Sequence, residues 1–353
     1  MSGIDRCRAR FDILAVDFVS PCKKMRVAPS RTKFMTPGPL PNITAETDAQ
    51  ITEAPLVNAV DQTLKWVTTA KDLLDILRSD FGGGHWIFRG HSRSGQSLSP
   101  SLERYANAIA KPGGAIAAET HIVREFKRRA HHYIQNPPGD SEDLEWLALM
   151  QHHGAPTRLL DWTRSPYVAA FFAAEPAERG ADFAIWVIDR DALIEAAFAI
   201  IQNDLPTDSS RNISTFVDYY RQIFEEQTWG HGHFFVAPIE PFRMNERLTI
   251  QQGLFLCPNT PLIYREFEWC LKYMRHHASE RAAANNSVLY KPWVHKLEID
   301  SGARLGVLAE LQKMNVNRAT LFPGLDGFAS SLRINWELAP QHWFDSWVRS
   351  EKT

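Results

Sequence analysis

The sequence predicts an α+β fold: a mixed or antiparallel sheet with helices packed around it, a single core and an irregular N-terminal leader. Three observations carry this. Apolar runs of strand length and stretches of helical period follow one another without the regular spacing of βαβ units. The chain has 353 residues with 11 Trp and 20 Phe, enough aromatic surface to fill a sizeable core. No fixed-period repeat interrupts the pattern.

Residues 1–55 read as the leader. They carry Pro29, Pro37, Pro39 and Pro41 and no sustained period, with a short strand over 11–19 as the element expected to dock. From Leu64 the apolar spacing of Leu64, Trp66, Leu73, Leu74, Ile76 and Leu77 suggests a helix, stopped by Gly82, Gly83 and Gly84. Residues 85–90 then read as a strand. A second helix spans 116–134, with Ile122, Val123, Phe126, Ala130 and Ile134 on one face. Asp140 or Ser141 can cap a third, with Leu144, Leu147, Ala148 and Met150 inward and an end near Gly154.

Ser165 before Pro166 marks a helix start, since the hydroxyl accepts an orphan N–H and proline suits the first helical position. Strands are expected over 181–188, 234–239 and 294–299. A helix is expected from Thr260 and Pro261 through Met274, another over 305–314, and a short one over 324–332. The segment 189–232 is less patterned and reads as an insertion or lid. Residues 334–353 are left as a C-terminal tail.

Composition narrows the function. The net charge of −2 gives no global field toward nucleic acid or membrane. Four scattered cysteines exclude a disulfide framework and a Cys-rich zinc site, so no metal is expected. No apolar run reaches the length of a membrane span, and a cytoplasmic location is expected by default. Phosphate-loop, dinucleotide-fingerprint and nucleophile-elbow motifs are missing.

Four segments could carry chemistry. In the first, Arg89 ends an aromatic strand beside Gly90. Its guanidinium is a planar fork of donors suited to phosphate or carboxylate, and Gly90 permits close backbone approach by a ligand. The alternative is an arginine paired to a buried carboxylate. The second is the polar run from Gln151 to Thr163, where Gln151, His152, His153, Arg158 and Asp161 could converge at one loop, with His153 as acid, base or ligand. The bland alternative is a helix-end histidine and a local Arg158–Asp161 pair. In the third, Asn245 can cap a short helix ending at Gly253. Arg247 and Gln251 share a face there, and Gln251 and Gln252 could read a ligand edge. In the fourth, residues 320–327 form a turn into a helix.

Together, Phe88 to Gly90, Gln151 to Thr163, Gln251 to Gly253 and Leu321 to Gly327 resemble the FRG-domain family, over 62–333. A looser similarity is to the ADP-ribosyltransferase fold. It implies NAD as a candidate cofactor, with Arg89 holding it and Thr163 or Ser165 supporting a ribose. Where that fold often has a glutamate, this chain has Gln251 and Gln252, and an amide cannot take a proton. Glu125, Asp161 or Glu246 would supply the charge.

The expected function is therefore a polar pocket for a small nucleotide-like ligand, with NAD-using ADP-ribosyl transfer or glycohydrolysis as its enzymatic form. In that form Arg89 clamps phosphate, Gln252 and Thr163 orient ribose, and Asp161 faces the oxocarbenium-like centre. One alternative is a metal-independent nuclease or phosphoesterase, with His153 as base and Arg89 and Arg158 as clamp. The other is a non-catalytic module binding nucleic acid or a partner through a basic helix (Arg265, Lys272, Arg275, His276, His277, Arg281) with Tyr264 and Tyr273 for stacking.

Overall fold

The computed structural model describes residues 43–57, 64–109, 114–201, 234–259, 266–284 and 292–339. The strand expected over 11–19 and the residues Tyr264 and Arg265 lie outside them.

Seven strands form one mixed sheet: β1 (Leu64–Val67), β2 (Trp86–His91), β3 (Leu160–Thr163), β4 (Phe183–Asp189), β5 (Val236–Ile239), β6 (Gly253–Pro258) and β7 (Val294–Ile299). Their spatial order is β1-β7-β4-β2-β3-β6-β5. Among the described residues the edge pair β1–β7 is parallel and every other neighbouring pair is antiparallel.

Strand alternation sorts the core onto both faces of this sheet. Ile87, Leu160, Trp162, Trp186, Ile188 and Leu256 point to one face. There they meet α1 (Ala45–Glu53), α3 (Ser101–Ile109), α4 (Gly114–Ala130), α5 (Asp143–His152), α7 (Arg190–Ile201) and α9 (Phe267–Ala284). Phe88, Ile185, Val187, Leu297 and Ile299 point to the other face. They pack on α2 (Ala70–Ser79), α6 (Pro166–Ala174), α10 (Arg304–Lys313), α11 (Arg318–Leu321) and α12 (Leu325–Leu338). A short helix, α8 (Glu246–Ile250), leads into β6. The central strand β4 is apolar at every position from Phe183 to Ile188 because both its faces are covered.

Several local expectations hold. Ser165 caps α6 by accepting from Val168 N–H, with Pro166 in the first turn. Asn245 caps α8 by accepting from Leu248 N–H. Others are corrected. Leu64–Val67 is a strand paired with β7, not the first turn of a helix, which starts after Thr69. The N-cap of α5 is Glu142, without a side-chain cap bond, rather than Asp140 or Ser141. Leu160–Thr163 is a strand, not a loop. Ala45–Glu53, inside the expected leader, is a helix with Ile51 buried. Arg190–Ile201, inside the expected insertion, is a core helix burying Leu193, Ile194 and Ala197. The last helix runs on to Leu338.

Among the described residues no helix is long and apolar enough to cross a membrane.

Candidate functional site

Strands β2 and β3 share a single registered pair, Phe88 with Thr163. Beyond it they part. Arg89, Gly90 and His91 remain paired to β4, and Leu160, Asp161 and Trp162 remain paired to β6. Thr163 is itself registered with Gly253, so Phe88, Thr163 and Gly253 form one row across three strands. Three sequence-distant segments thus meet at the mouth of a split in the sheet.

A hollow of about 380 Å³ occupies this split. Its floor is Arg89, His91, Asp161 and Trp162. Helix α5 supplies Ala148, Gln151 and His152, α6 and its end supply Phe172 and Pro176, and the α8 region supplies Asn245, Arg247 and Gln251. The volume lies within the ~300–1,000 Å³ range of small-molecule sites.

Arg89 bridges the split. Its Nη1 donates to the Asp161 carbonyl at 2.6 Å, and its Nε donates to His91 Nε2 at 3.1 Å. The Nε bond fixes the histidine tautomer. Nε2 must present its lone pair, so Nδ1 carries the proton and donates to the Gln96 carbonyl at 3.2 Å. Burial, reinforced by the Arg89 charge, pushes the His91 pKa down to about 3, so the ring is neutral at ordinary pH. Two of the five guanidinium N–H groups of Arg89 are thereby used, and the residue lines the hollow.

Asp161 Oδ2 accepts from Gln151 Nε2 at 2.8 Å. Gln151 is itself set by Thr157, whose hydroxyl donates to Gln151 Oε1 at 2.5 Å. The Arg247 side chain makes no ion pair or hydrogen bond among the described residues; its guanidinium lies 4.3 Å from the centre of the Phe322 ring. Burial pulls the pKa of both arginines down, and the Asp161 charge opposes this in each case. Two guanidiniums and one carboxylate around neutral groups leave the hollow with net positive charge.

A family model described as the FRG domain matches residues 84–181. This chain carries an FRG domain. The matched span includes Arg89, His91, Gln151 and Asp161, while Arg247 and Gln251, on the opposite wall, lie beyond it. No curated protein and no solved structure gives a match.

Of the residues singled out in the sequence, the hollow gathers Arg89, Gly90, Asp161, Thr163, Arg247 and Gln251. It does not gather His153, Arg158 or Gln252. His153 ends α5 with its side chain exposed. Arg158 is buried against Glu119, with Nε donating to Oε1 at 2.7 Å and Nη2 donating to Oε2, so it pairs across to α4 and not with Asp161. Gln252 is exposed, with φ of 48° in the turn before β6. Glu125 is engaged with Arg128 and Arg129 on α4.

Two residues have structural work beside the hollow. Gly90 admits α6: a Cβ there would lie 2.2 Å from the Ala169 carbonyl oxygen and 2.5 Å from Ala173 N. The missing side chain therefore serves helix packing rather than ligand approach. The Thr163 hydroxyl donates to the Gln251 carbonyl at 2.6 Å and accepts from Ser165 N–H at 3.0 Å, tying β3 to the α8–β6 turn. Gln251 Nε2 donates to the Leu321 carbonyl at 3.0 Å.

His91 takes part beyond the residues first singled out, and Gln151 and His152 of the polar run also line the hollow. Each left a signal. His91 follows Arg89 at strand spacing, and Gln151 and His152 lie three and four residues after the inward Ala148. Burial and the neighbouring His153 and Arg247 hold the His152 pKa below its ordinary value.

Among the described residues no group of three or more His, Cys, Asp or Glu could hold a metal ion. Cys257 and Cys270 are buried. The basic helix expected to bind nucleic acid is tied to the protein. Tyr273 stacks on Trp269 at 5.4 Å, Lys272 donates to the Thr52 carbonyl, Arg281 donates to the Ala199 carbonyl, and His276 faces Glu280.

Proposed function

We propose that the hollow between β2 and β3 binds an anionic, nucleotide-like ligand. The observation that carries this reading is the pair Arg89 and Arg247, two guanidiniums that face one hollow with no ion-pair partner among the described residues. The buried Arg158 owns the carboxylate of Glu119, whereas these two half-buried arginines own none among the described residues. A phosphate would supply the missing charge and use the free donor fork. The open oxygen of Asp161, whose partner Oδ2 is fixed by Gln151, suits the hydroxyls of a ribose.

The enzymatic form of this reading is NAD-using chemistry. Among the described residues Asp161 is the one carboxylate lining the hollow. Beside the anomeric carbon it would stabilise the positive charge that develops as the carbon–nitrogen bond breaks. Nicotinamide leaves with the bonding electrons, and water or an acceptor side chain adds to the carbon.

Calorimetric titration with AMP and with NAD tests the binding claim. The native protein is expected to bind, and Arg89→Ala to weaken binding about 10–100-fold, as loss of charge-assisted hydrogen bonds does. Native protein that takes up neither nucleotide contradicts the proposal. Release of nicotinamide tests the enzymatic form: Asp161→Asn should stop turnover while leaving affinity within a few-fold.

A further inference from the structure

A second hollow of about 480 Å³ adjoins the first and shares three of its walls, His152, Asn245 and Arg247. Its other walls include Arg318, Phe322 and Ser330. We infer that it is a second subsite of the same ligand, which therefore consists of two nucleotide halves joined through phosphates lying over Arg247. This rests on the nucleotide reading of the first hollow.

Arg247 stands where the hollows meet. Its guanidinium and that of Arg318 both lie over the Phe322 ring, 4.3 and 4.6 Å from its centre. Two like charges on one ring repel unless each is neutralised. Arg318 is, by both carboxylate oxygens of Glu175 at 2.9 and 3.0 Å. Arg247 is not, among the described residues, and it is half-buried. A phosphate linkage at this point would satisfy the remaining cation.

The second hollow also has a planar wall. Phe322 is half-buried, held edge-on by Phe172 at 5.9 Å, and its faces carry planar guanidiniums. Aromatic rings and arginine planes are the groups on which a nucleobase stacks. A mononucleotide fills one hollow and leaves the other to solvent. A dinucleotide places a phosphate at the junction and a heterocycle against the guanidinium planes that cover Phe322.

Calorimetry with three probes, AMP, ADP and NAD, separates the possibilities. The second subsite predicts that NAD binds at least about tenfold more tightly than ADP, the gain expected from one stacked base. Ser330→Trp, an exposed position on α12 that fills the second hollow, should bring NAD to the ADP level and leave ADP unchanged. Phe322→Ala should also narrow the gap between NAD and ADP, and thermal melts verify that both variants fold. Equal affinity for ADP and NAD in the native protein overturns the inference while leaving the first hollow's reading intact. A gap that survives both substitutions also overturns it. Failure of the native protein to bind any of the three removes the reading beneath it as well.

Discussion

At the scale of single residues, the site is organised by His91. The ring is 3% exposed, yet it is packed beside a guanidinium. It tolerates this position by remaining neutral, with its lone pair on Arg89 and its proton on the Gln96 carbonyl. The arrangement has a pH consequence. The His91 pKa falls from 6.5 in the unfolded chain to about 3 in the fold. Between those values the unfolded chain binds a proton that the folded chain refuses. Folded stability therefore declines as pH falls through that window, by up to about 1.4 kcal/mol per pH unit from this group. His91→Asn removes the titrating ring and keeps a side-chain amide. The variant is expected to be less stable at neutral pH, but to lose less melting temperature than the native protein between about pH 7 and pH 4.5. An equal loss in both proteins contradicts this account. A charged His91 would also take away the acceptor that holds Arg89 Nε.

At the scale of elements, α6 on β2 is the contact that sets the split. Ala169, Ala170, Ala173 and Ala174 are all buried, and with Gly90 beneath them the helix backbone approaches the strand directly. Gly90→Ala puts a carbon into the helix main chain, which no rotamer relieves. The expected cost is about 1–3 kcal/mol, the range for overpacking a tight core, read from the denaturation midpoint. Because α6 begins at Ser165, just after β3, the same substitution should displace Asp161 and weaken nucleotide binding as well. A variant with native stability would show that the helix has room to slide. The readable elements were those specified locally. Ser165 with Pro166 gave α6, Asn245 gave α8, and the aromatic alternation gave β2. Leu64–Val67 was unreadable because its identity as a strand comes from parallel pairing with residues far along the chain. The site followed the same division. Arg89, Asp161 and Arg247 stood out as polar groups in apolar settings. Whether Arg158 turned into the hollow or away depended on Glu119 of α4, a partner that no local pattern reveals.

At the scale of the whole molecule, the FRG-matched span is not a self-sufficient body. Residues 84–181 contain β2 and β3 but stop before β4, and they lack β6 and β7. In the sheet β2 lies between β4 and β3, and β3 between β2 and β6. Within the span alone, the two strands keep one registered pair, Phe88 with Thr163, while Trp86–His91 loses its six-residue ladder to β4. Isolated strand pairs of this kind are marginal in water. The core tells the same story. Ile87 and Trp162 share one side of the core with Trp186 and Leu254, and Phe88 shares the other with Ile185 and Val187, partners that all lie outside the span. A fragment of residues 84–181 should therefore show no cooperative thermal transition by circular dichroism, whereas the full chain melts cooperatively. It should also fail to bind nucleotide, since Arg247 and Gln251 come from the missing half. A fragment that melts sharply and retains affinity would mean that the split between β2 and β3 is held open by α5 and α6 alone. Arg247 would then be dispensable for anion capture, and the two-arginine account of the hollow would have to be abandoned.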